Sequence, residues 1–194
     1  MRGALIAVWC LLPLGALLWH LGPGQELKRG DEAAARIAEA EAAVAAERWP
    51  DAAVAWAQAL AALPKDEVDA QRRVRLEQAR TGLHVGQLPD VAPALDALLA
   101  EVQADPACDP AFVDEVRLAA GGASYYMTWL LRLEGAPREE WEAEVQAARQ
   151  HYKLLAETAT DQATRDARQR DLAAAIRLAR LDLGELQGLP IPMP

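Results

Sequence analysis

The sequence is poor in aromatic residues, and this scarcity limits how its core can be built. Aromatic side chains make up 5% of the 194 residues, with a single Phe, so burial has to come from many small contacts. The hydrophobic fraction of 52% is raised by alanine, the strongest helix former. These features predict one all-α domain whose helices approach each other closely.

Cysteine and histidine are too scarce and too scattered for a common metal or catalytic site. His20, His84 and His151 have no second His or Cys three or four residues away, the spacing at which a helix presents two ligands. Cys10 lies in the apolar N-terminal run, so Cys108 has no disulfide partner in the soluble part. No glycine-rich phosphate loop is present. We therefore predict no catalytic residue, no metal, no cofactor and no enzymatic activity.

Positive charge is also in short supply, because the formal net charge is −9 at pH 7. A nucleic-acid-binding protein normally carries the opposite sign, so we expect no nucleic-acid partner. The basic residues are mostly arginine, which is typical of a GC-rich bacterial genome. The charge balance leaves proteins and small ligands as the partners to consider.

Long apolar runs are confined to the N-terminus, where residues 3–19 carry no charge and precede a Gly-Pro-Gly break at residues 22–24. Seventeen or so residues is the lower limit for a membrane-spanning helix, and no small-residue cleavage site follows. We expect a signal anchor or signal peptide within residues 1–24. The anchor would place residues 3–21 in the bacterial inner membrane as a single pass, with the soluble domain in the periplasm. The alternative is a cleaved signal and a domain secreted to the periplasm.

Downstream of the anchor, apolar residues recur at helical spacing and the breaks fall at Pro, Gly and Asp. The pattern predicts a linker over 25–30, a helical domain over 31–187 and an extended proline-rich tail over 188–194. Helices are predicted at about 31–47, 50–63, 66–83, 89–104, 110–133, 137–157 and 162–186. The helix over 110–133 is apolar on two sides, which predicts that two neighbours cover it. Gly121 and Gly122 within it predict a close backbone approach or a kink.

One segment spaces large and small side chains in a recognisable order: Trp49-x2-Ala52-x3-Trp56-x2-Ala59-x4-Pro64, with Ala40 twelve residues before Ala52. This order resembles the tetratricopeptide repeat, a 34-residue pair of antiparallel helices. The resemblance implies that the alanines lie where the two helices touch. It also implies that the tryptophans face the next helix pair and that Pro64 ends the second helix. Glu47 departs from the family because a glycine usually occupies that turn.

Weaker copies of the same spacing follow over residues 88–103 and 145–160, and the first begins 39 residues after the original, from Ala52 to Val91. The resemblance therefore implies a right-handed α-solenoid of antiparallel helix hairpins, closed by a C-terminal capping helix and preceded by an N-terminal apolar helix. The alternative is an alanine-rich helical bundle without repeats. About three stacked units are needed for a stable solenoid, and the predicted helices suffice.

The candidate binding residues are aromatic and basic. Residues 124–135 bring together Tyr125, Tyr126, Trp129 and Arg132, and Tyr152 lies on the next predicted helix. Such residue types dominate binding hot spots, although they also suit the core of a third helix pair. The leading interpretation is a non-enzymatic scaffold or adaptor that binds a protein partner at the cell envelope. The alternative is a helical protein that holds a peptide, lipid or small molecule beside Tyr125, Trp129 and Tyr152.

Overall fold

The computed structural model describes residues 23–189, and every regular element within that range is an α-helix. The predicted anchor up to residue 22 and the tail from residue 190 lie outside the described residues. Eight helices follow one another along the described chain: α1 (Pro23–Ala45), α2 (Trp49–Ala62), α3 (Val68–His84), α4 (Leu88–Ala104), α5 (Pro110–Leu133), α6 (Arg138–Thr158), α7 (Gln162–Arg180) and α8 (Leu183–Gln187).

Most helix boundaries lie within a residue or two of the predicted ones, but α1 starts earlier. It begins at Pro23 and runs through residues 25–30, whereas the helical pattern predicts a start near Asp31. Pro is favoured in the first turn of a helix because its missing N–H has no partner to lose there. The following Glu, Leu and Lys are good helix formers, so the helix continues through this stretch.

The single helix predicted over residues 162–186 is wrong, because the chain breaks between α7 and α8. Asp182 forms a capping box with Glu185: its Oδ1 accepts a hydrogen bond from the Glu185 N–H at 2.7 Å, and its own N–H donates to the Glu185 carboxylate at 2.9 Å. This pair starts a new helix at Leu183. Leu186 on that helix is completely buried, so the break brings an extra apolar side chain into the core.

The described chain divides into two compact units, one up to Arg75 and one from Leu76 onward. In the first unit α1 packs against α2 through alanine. Ala40, Ala52 and Ala59 have no exposed surface, and Trp56 is 3% exposed in the same cluster as Val74 of α3. Small side chains at the contact let the two backbones come close, and the indole fills the space beside them. Leu63 adopts an extended backbone ahead of Pro64, which ends α2.

The turn between α1 and α2 has the same backbone geometry as two later turns. Glu47 has a left-handed φ of 55°, and Gly86 and Gly135 have φ values of 77° and 74°. After α1, the N–H of Arg48 donates to the Ala43 carbonyl and the N–H of Glu47 donates to the Val44 carbonyl. This is the Schellman motif, which satisfies the last carbonyls of a helix, and the same pair of bonds follows α3 and α5.

The first two of these turns are also related in sequence. Glu47 and Gly86 are each followed three residues later by a proline, Pro50 or Pro89, in the first turn of the next helix. The spacing equals the 39 residues that separate Ala52 from Val91. The first six described helices thus form a repeat-like series of three pairs, each joined by a left-handed turn.

Replacing Glu47 with glycine is expected to stabilise the protein. A left-handed conformation costs a non-glycine residue about 1 kcal/mol, and glycine escapes most of that cost. We expect Glu47→Gly to raise the free energy of unfolding by about 0.5–1 kcal/mol, measured by urea denaturation. The matched control is Glu41→Gly, an exposed position inside α1, which should lower it by a similar amount. Equal destabilisation by both changes would contradict the role assigned to the turn.

In the second unit, α5 packs against α4 on one side and α6 on the other, which confirms the prediction of a helix covered twice. Leu95, Leu98 and Val102 of α4 meet Val116 and Ala120 of α5 in the largest cluster, which the second half of α3 joins. Asp109 caps the start of α5 by accepting the Ala111 N–H at 3.0 Å.

The contact between α5 and α6 depends on Gly121. A Cβ atom on this residue would lie 3.1 Å from the Cβ of His151 and 3.2 Å from Cε1 of the Tyr152 ring. The predicted close backbone approach is therefore confirmed at Gly121. Gly122 differs, because the nearest atom to its added Cβ would be the Tyr152 hydroxyl at 3.9 Å. Gly82 plays a similar part in α3, where a Cβ would collide with Val91.

The two neighbouring glycines therefore give a matched pair of variants. Gly122→Ala should gain helix propensity of about 0.5–1 kcal/mol without a collision. Gly121→Ala should be about 1 kcal/mol less stable than Gly122→Ala, because the His151 Cβ cannot move unless α6 moves. Thermal and urea unfolding of both variants measures the difference. Equal stabilisation by the two alanines would show that α5 and α6 are not closely packed at this point.

Candidate functional site

A groove of about 360 Å³ opens between α5 and α7, and two of the candidate aromatic residues line it. We call it the α5–α7 groove. Tyr125 and Trp129 form its α5 side, Ala173, Ala174 and Leu178 form its α7 side, and Leu181 and Leu189 complete the apolar lining; Arg170 and Arg177 also border it.

The aromatic side of the groove packs against core residues behind it. Trp129 is 6% exposed and packs with Leu178 and Leu186. Tyr125 contacts this cluster and also the neighbouring one around Tyr152, and its ring meets Tyr126 edge-on at a centroid distance of 5.8 Å. Trp129 therefore belongs to the core and also lines the groove.

Arg132 lies behind the groove and its guanidinium is occupied within the chain. Its Nη1 donates to the Leu178 carbonyl, and its Nη2 donates to the Leu181 carbonyl at 2.6 Å. The group also lies 4.8 Å from the centre of the Trp141 ring. Burial lowers the pKa of Arg132, and the nearby Asp182 carboxylate opposes that shift. A positive charge here satisfies carbonyls at the end of α7 and complements its dipole.

Tyr152 lies in the core beside the groove and not in its lining. It is 6% exposed and packs with Ala148 of α6 and Ala175 of α7, both of which have no exposed surface. Burial raises the pKa of the Tyr152 hydroxyl, and it also raises that of Tyr126. Both phenols are therefore neutral at physiological pH. Of the five candidate residues, the structure brings Tyr125 and Trp129 to the groove and gives Arg132 and Tyr152 structural contacts.

Two groove residues were not anticipated from the sequence. Arg170 and Arg177 are exposed on α7 and, among the described residues, have neither a hydrogen bond nor an ion pair. A signal for Arg177 does exist in the sequence, since no acidic residue lies three or four positions away on the helix. For Arg170 the nearest acid at that spacing is Asp166, whose Oδ1 instead accepts from Gln162 at 2.6 Å.

The other arginines of the second unit mostly have partners, as does the Arg-rich α3. Two local ion pairs on α3 join Arg72 to Asp69 at 3.5 Å and Arg80 to Glu77 at 2.5 Å. On α6 and α7, the ion pairs join Arg138 to Glu142 at 3.0 Å and Arg168 to Asp171 at 2.8 Å. Arg170 and Arg177 therefore stand out as groove-side charges that no residue between 23 and 189 neutralises.

Other candidate chemistry is sparse in the part of the chain that the structure describes. Residues 23–189 contain no group of three or more His, Cys, Asp or Glu side chains placed to hold a metal ion. His151 is half-buried against Gly121, and burial, together with Arg117, lowers its pKa. Over the same range, no helix combines the length and the apolar content that crossing a membrane requires.

Comparison of the chain with protein-family models, with curated proteins and with solved structures gives no match.

The carbonyl contacts of Arg132 predict a stability role. Arg132→Gln should lower the free energy of unfolding by about 1–2 kcal/mol, because hydrogen bonds from a charged donor to two carbonyls are lost. Arg138→Gln, which removes an exposed pair beside the same Trp141 ring, is the control and should leave the unfolding midpoint unchanged. Urea unfolding followed by circular dichroism measures both. A wild-type midpoint for Arg132→Gln would contradict the role assigned to these contacts.

Proposed function

We propose that this chain is a non-enzymatic protein-interaction module built from tetratricopeptide-like helix pairs. The observation that carries the proposal is the α5–α7 groove, which combines an aromatic side packed against the core with two exposed arginines that have no partner in the described chain. Aromatic and arginine side chains are the ones that contribute most to protein-binding energy. A preorganised surface of this kind loses little conformational entropy when a partner binds.

The kinship with the tetratricopeptide repeat is part of the proposal. It is supported by the buried Ala40, Ala52 and Ala59 and by the recurrence of the left-handed turn after 39 residues. Glu47 takes the left-handed conformation at the position where the family usually has glycine. The proposed arrangement is a right-handed solenoid, with α7 and α8 covering the last helix pair.

The proposed site of action is the bacterial cell envelope. The charge-free residues 3–19 support a single-pass anchor in the inner membrane, with the helical domain in the periplasm. Alkaline phosphatase fused after residue 30 should be active in cells and should sediment with membranes. An inactive fusion would indicate the opposite membrane orientation, and an active fusion found in the soluble periplasm would favour a cleaved signal.

Crosslinking in cells tests the interaction module. The tagged full-length chain is crosslinked, extracted from membranes and purified under denaturing conditions, and the covalently attached proteins are quantified. The control fuses residues 1–30 to an unrelated globular domain, which subtracts proteins that associate with the anchor alone. We expect at least one protein in near-stoichiometric amount with the full chain only. Recovery of no such protein would overturn the proposal.

A second candidate function is a carrier of a small ligand, and the volume of the α5–α7 groove favours it. About 360 Å³ is at the lower end of the range for small-molecule sites, and the lining is mostly apolar. Native mass spectrometry of the purified chain distinguishes the two functions. A bound mass that disappears when Ala174→Trp fills the groove would support the carrier.

A further inference from the structure

We propose that the α5–α7 groove binds an acidic peptide segment of the partner protein, with one bulky apolar side chain of that segment inserted between Tyr125 and the α7 wall. This inference rests on the interaction module proposed above and specifies the chemistry of its partner. Three properties of the groove carry it: its charge, the spacing of that charge and its apolar volume.

The charge of α7 is opposite to that of the whole chain. The helix has five arginines and two aspartates, in a protein whose net charge is −9. Arg168 is paired with Asp171, and Arg165 donates to the Ala159 carbonyl at 2.7 Å. Arg170 and Arg177 border the groove without a partner among the described residues. A ligand that supplies carboxylates would complete their ion pairs and would be attracted from a distance.

The spacing of the two arginines favours a peptide over a ligand with one anionic group. Residues seven apart on an α-helix lie on nearly the same side, separated by about 10.5 Å along the axis. A peptide in the polyproline II conformation has three residues per turn and rises about 3.1 Å per residue, so carboxylates three residues apart lie on the same side and span about 9.3 Å. A lipid headgroup or a fatty-acid carboxylate would engage one guanidinium and leave the other unpaired.

The apolar part of the groove suits a single large side chain. Its volume of about 360 Å³ exceeds that of one Leu, Phe or Trp side chain and its walls are Tyr125, Trp129 and Leu178. Leu189 at the edge is 43% exposed, so apolar surface is available for a ligand to cover. Burying a Leu or Phe side chain there provides affinity, and the flanking carboxylates set the direction in which the peptide lies.

The matching sequence is therefore an acidic residue, two intervening residues of which one is Leu, Phe or Trp, and a second acidic residue. Selection from a library of random dodecapeptides displayed on phage, with the full-length chain in detergent as bait, tests this. We expect the enriched peptides to share this pattern. Enrichment of basic or uniformly neutral peptides, or no enrichment, would overturn the proposal.

Variants then test the site with one enriched peptide, labelled with fluorescein and measured by fluorescence anisotropy. The double change Arg170→Gln with Arg177→Gln should weaken binding about tenfold, and Ala174→Trp should abolish it by filling the groove. The matched control removes two arginines that already have partners, Arg138→Gln with Arg149→Gln, and should leave affinity within about twofold. Equal affinity of the peptide for the wild type and the Arg170/Arg177 variant would contradict the role proposed for these two arginines.

The remaining occupants are distinguished by two further arms. Vesicles of phosphatidylglycerol replace the peptide, and binding to them that depends on Arg170 and Arg177, without any selected peptide, would make the ligand an anionic lipid and overturn the proposal. Sedimentation of the chain over a range of concentrations tests for a second copy, and self-association that Ala174→Trp abolishes would place that copy in the groove and overturn the proposal. If crosslinking in cells recovers the same partner with the Arg170/Arg177 variant, this inference fails while the interaction module stands.

Discussion

Close approach between helix backbones is the constraint on which the rest of this structure depends. Where α1 meets α2, completely buried alanines replace the larger side chains of an ordinary helical core. Where α5 meets α6, Gly121 leaves room for the Tyr152 ring. Because the helices are close, few large side chains are needed to fill the space between them. The scarce aromatic residues can then be concentrated at a few places, and one of those places is a groove.

The groove is a consequence of how the helices end. Leu186 is buried against Trp129 because Asp182 and Glu185 start a new helix at Leu183. Arg132 of α5 donates to two carbonyls at the end of α7, which links the two helices that form the sides of the groove. The charged side chains near Trp129 thus divide into two kinds. Arg132 binds carbonyls within the fold, whereas Arg170 and Arg177 are exposed and form no ion pair with any residue that the structure describes.

Periodicity in the sequence was sufficient to predict an all-α fold and most helix boundaries, since apolar stripes depend only on local spacing. It failed at residues 181–182, because Leu183 and Leu186 continue the stripe of α7 and hide the capping box. It also could not separate the roles of Tyr125 and Tyr152. Both lie on apolar stripes, and only the packing of α5, α6 and α7 decides which one reaches a surface.

Arginine roles were the hardest to predict, for a related reason. The carbonyls that accept hydrogen bonds from Arg132 are 46 and 49 residues away in the sequence, so no local pattern predicts these contacts. The lack of an acidic residue one helical turn from Arg177 indicates weakly that this arginine is unpaired. Its position on a groove, however, depends on the packing of α5. The role of each side chain at this site therefore depends on contacts between distant parts of the sequence, whereas the formation of each helix depends on local sequence.

The connections between the described helices differ in whether they contain a Schellman turn. After α1, α3 and α5, the turn hydrogen bonds join each helix end to the residues that immediately follow it. An added residue in the turn would therefore break these bonds. The segments 63–67 and 105–109, which join one pair to the next, lack this motif. Segment 105–109 is held by shorter contacts such as the Ala107 N–H to the Asp105 carboxylate. Length variation among related chains, and inserted tags or loops, should therefore concentrate between pairs and avoid the turns within them.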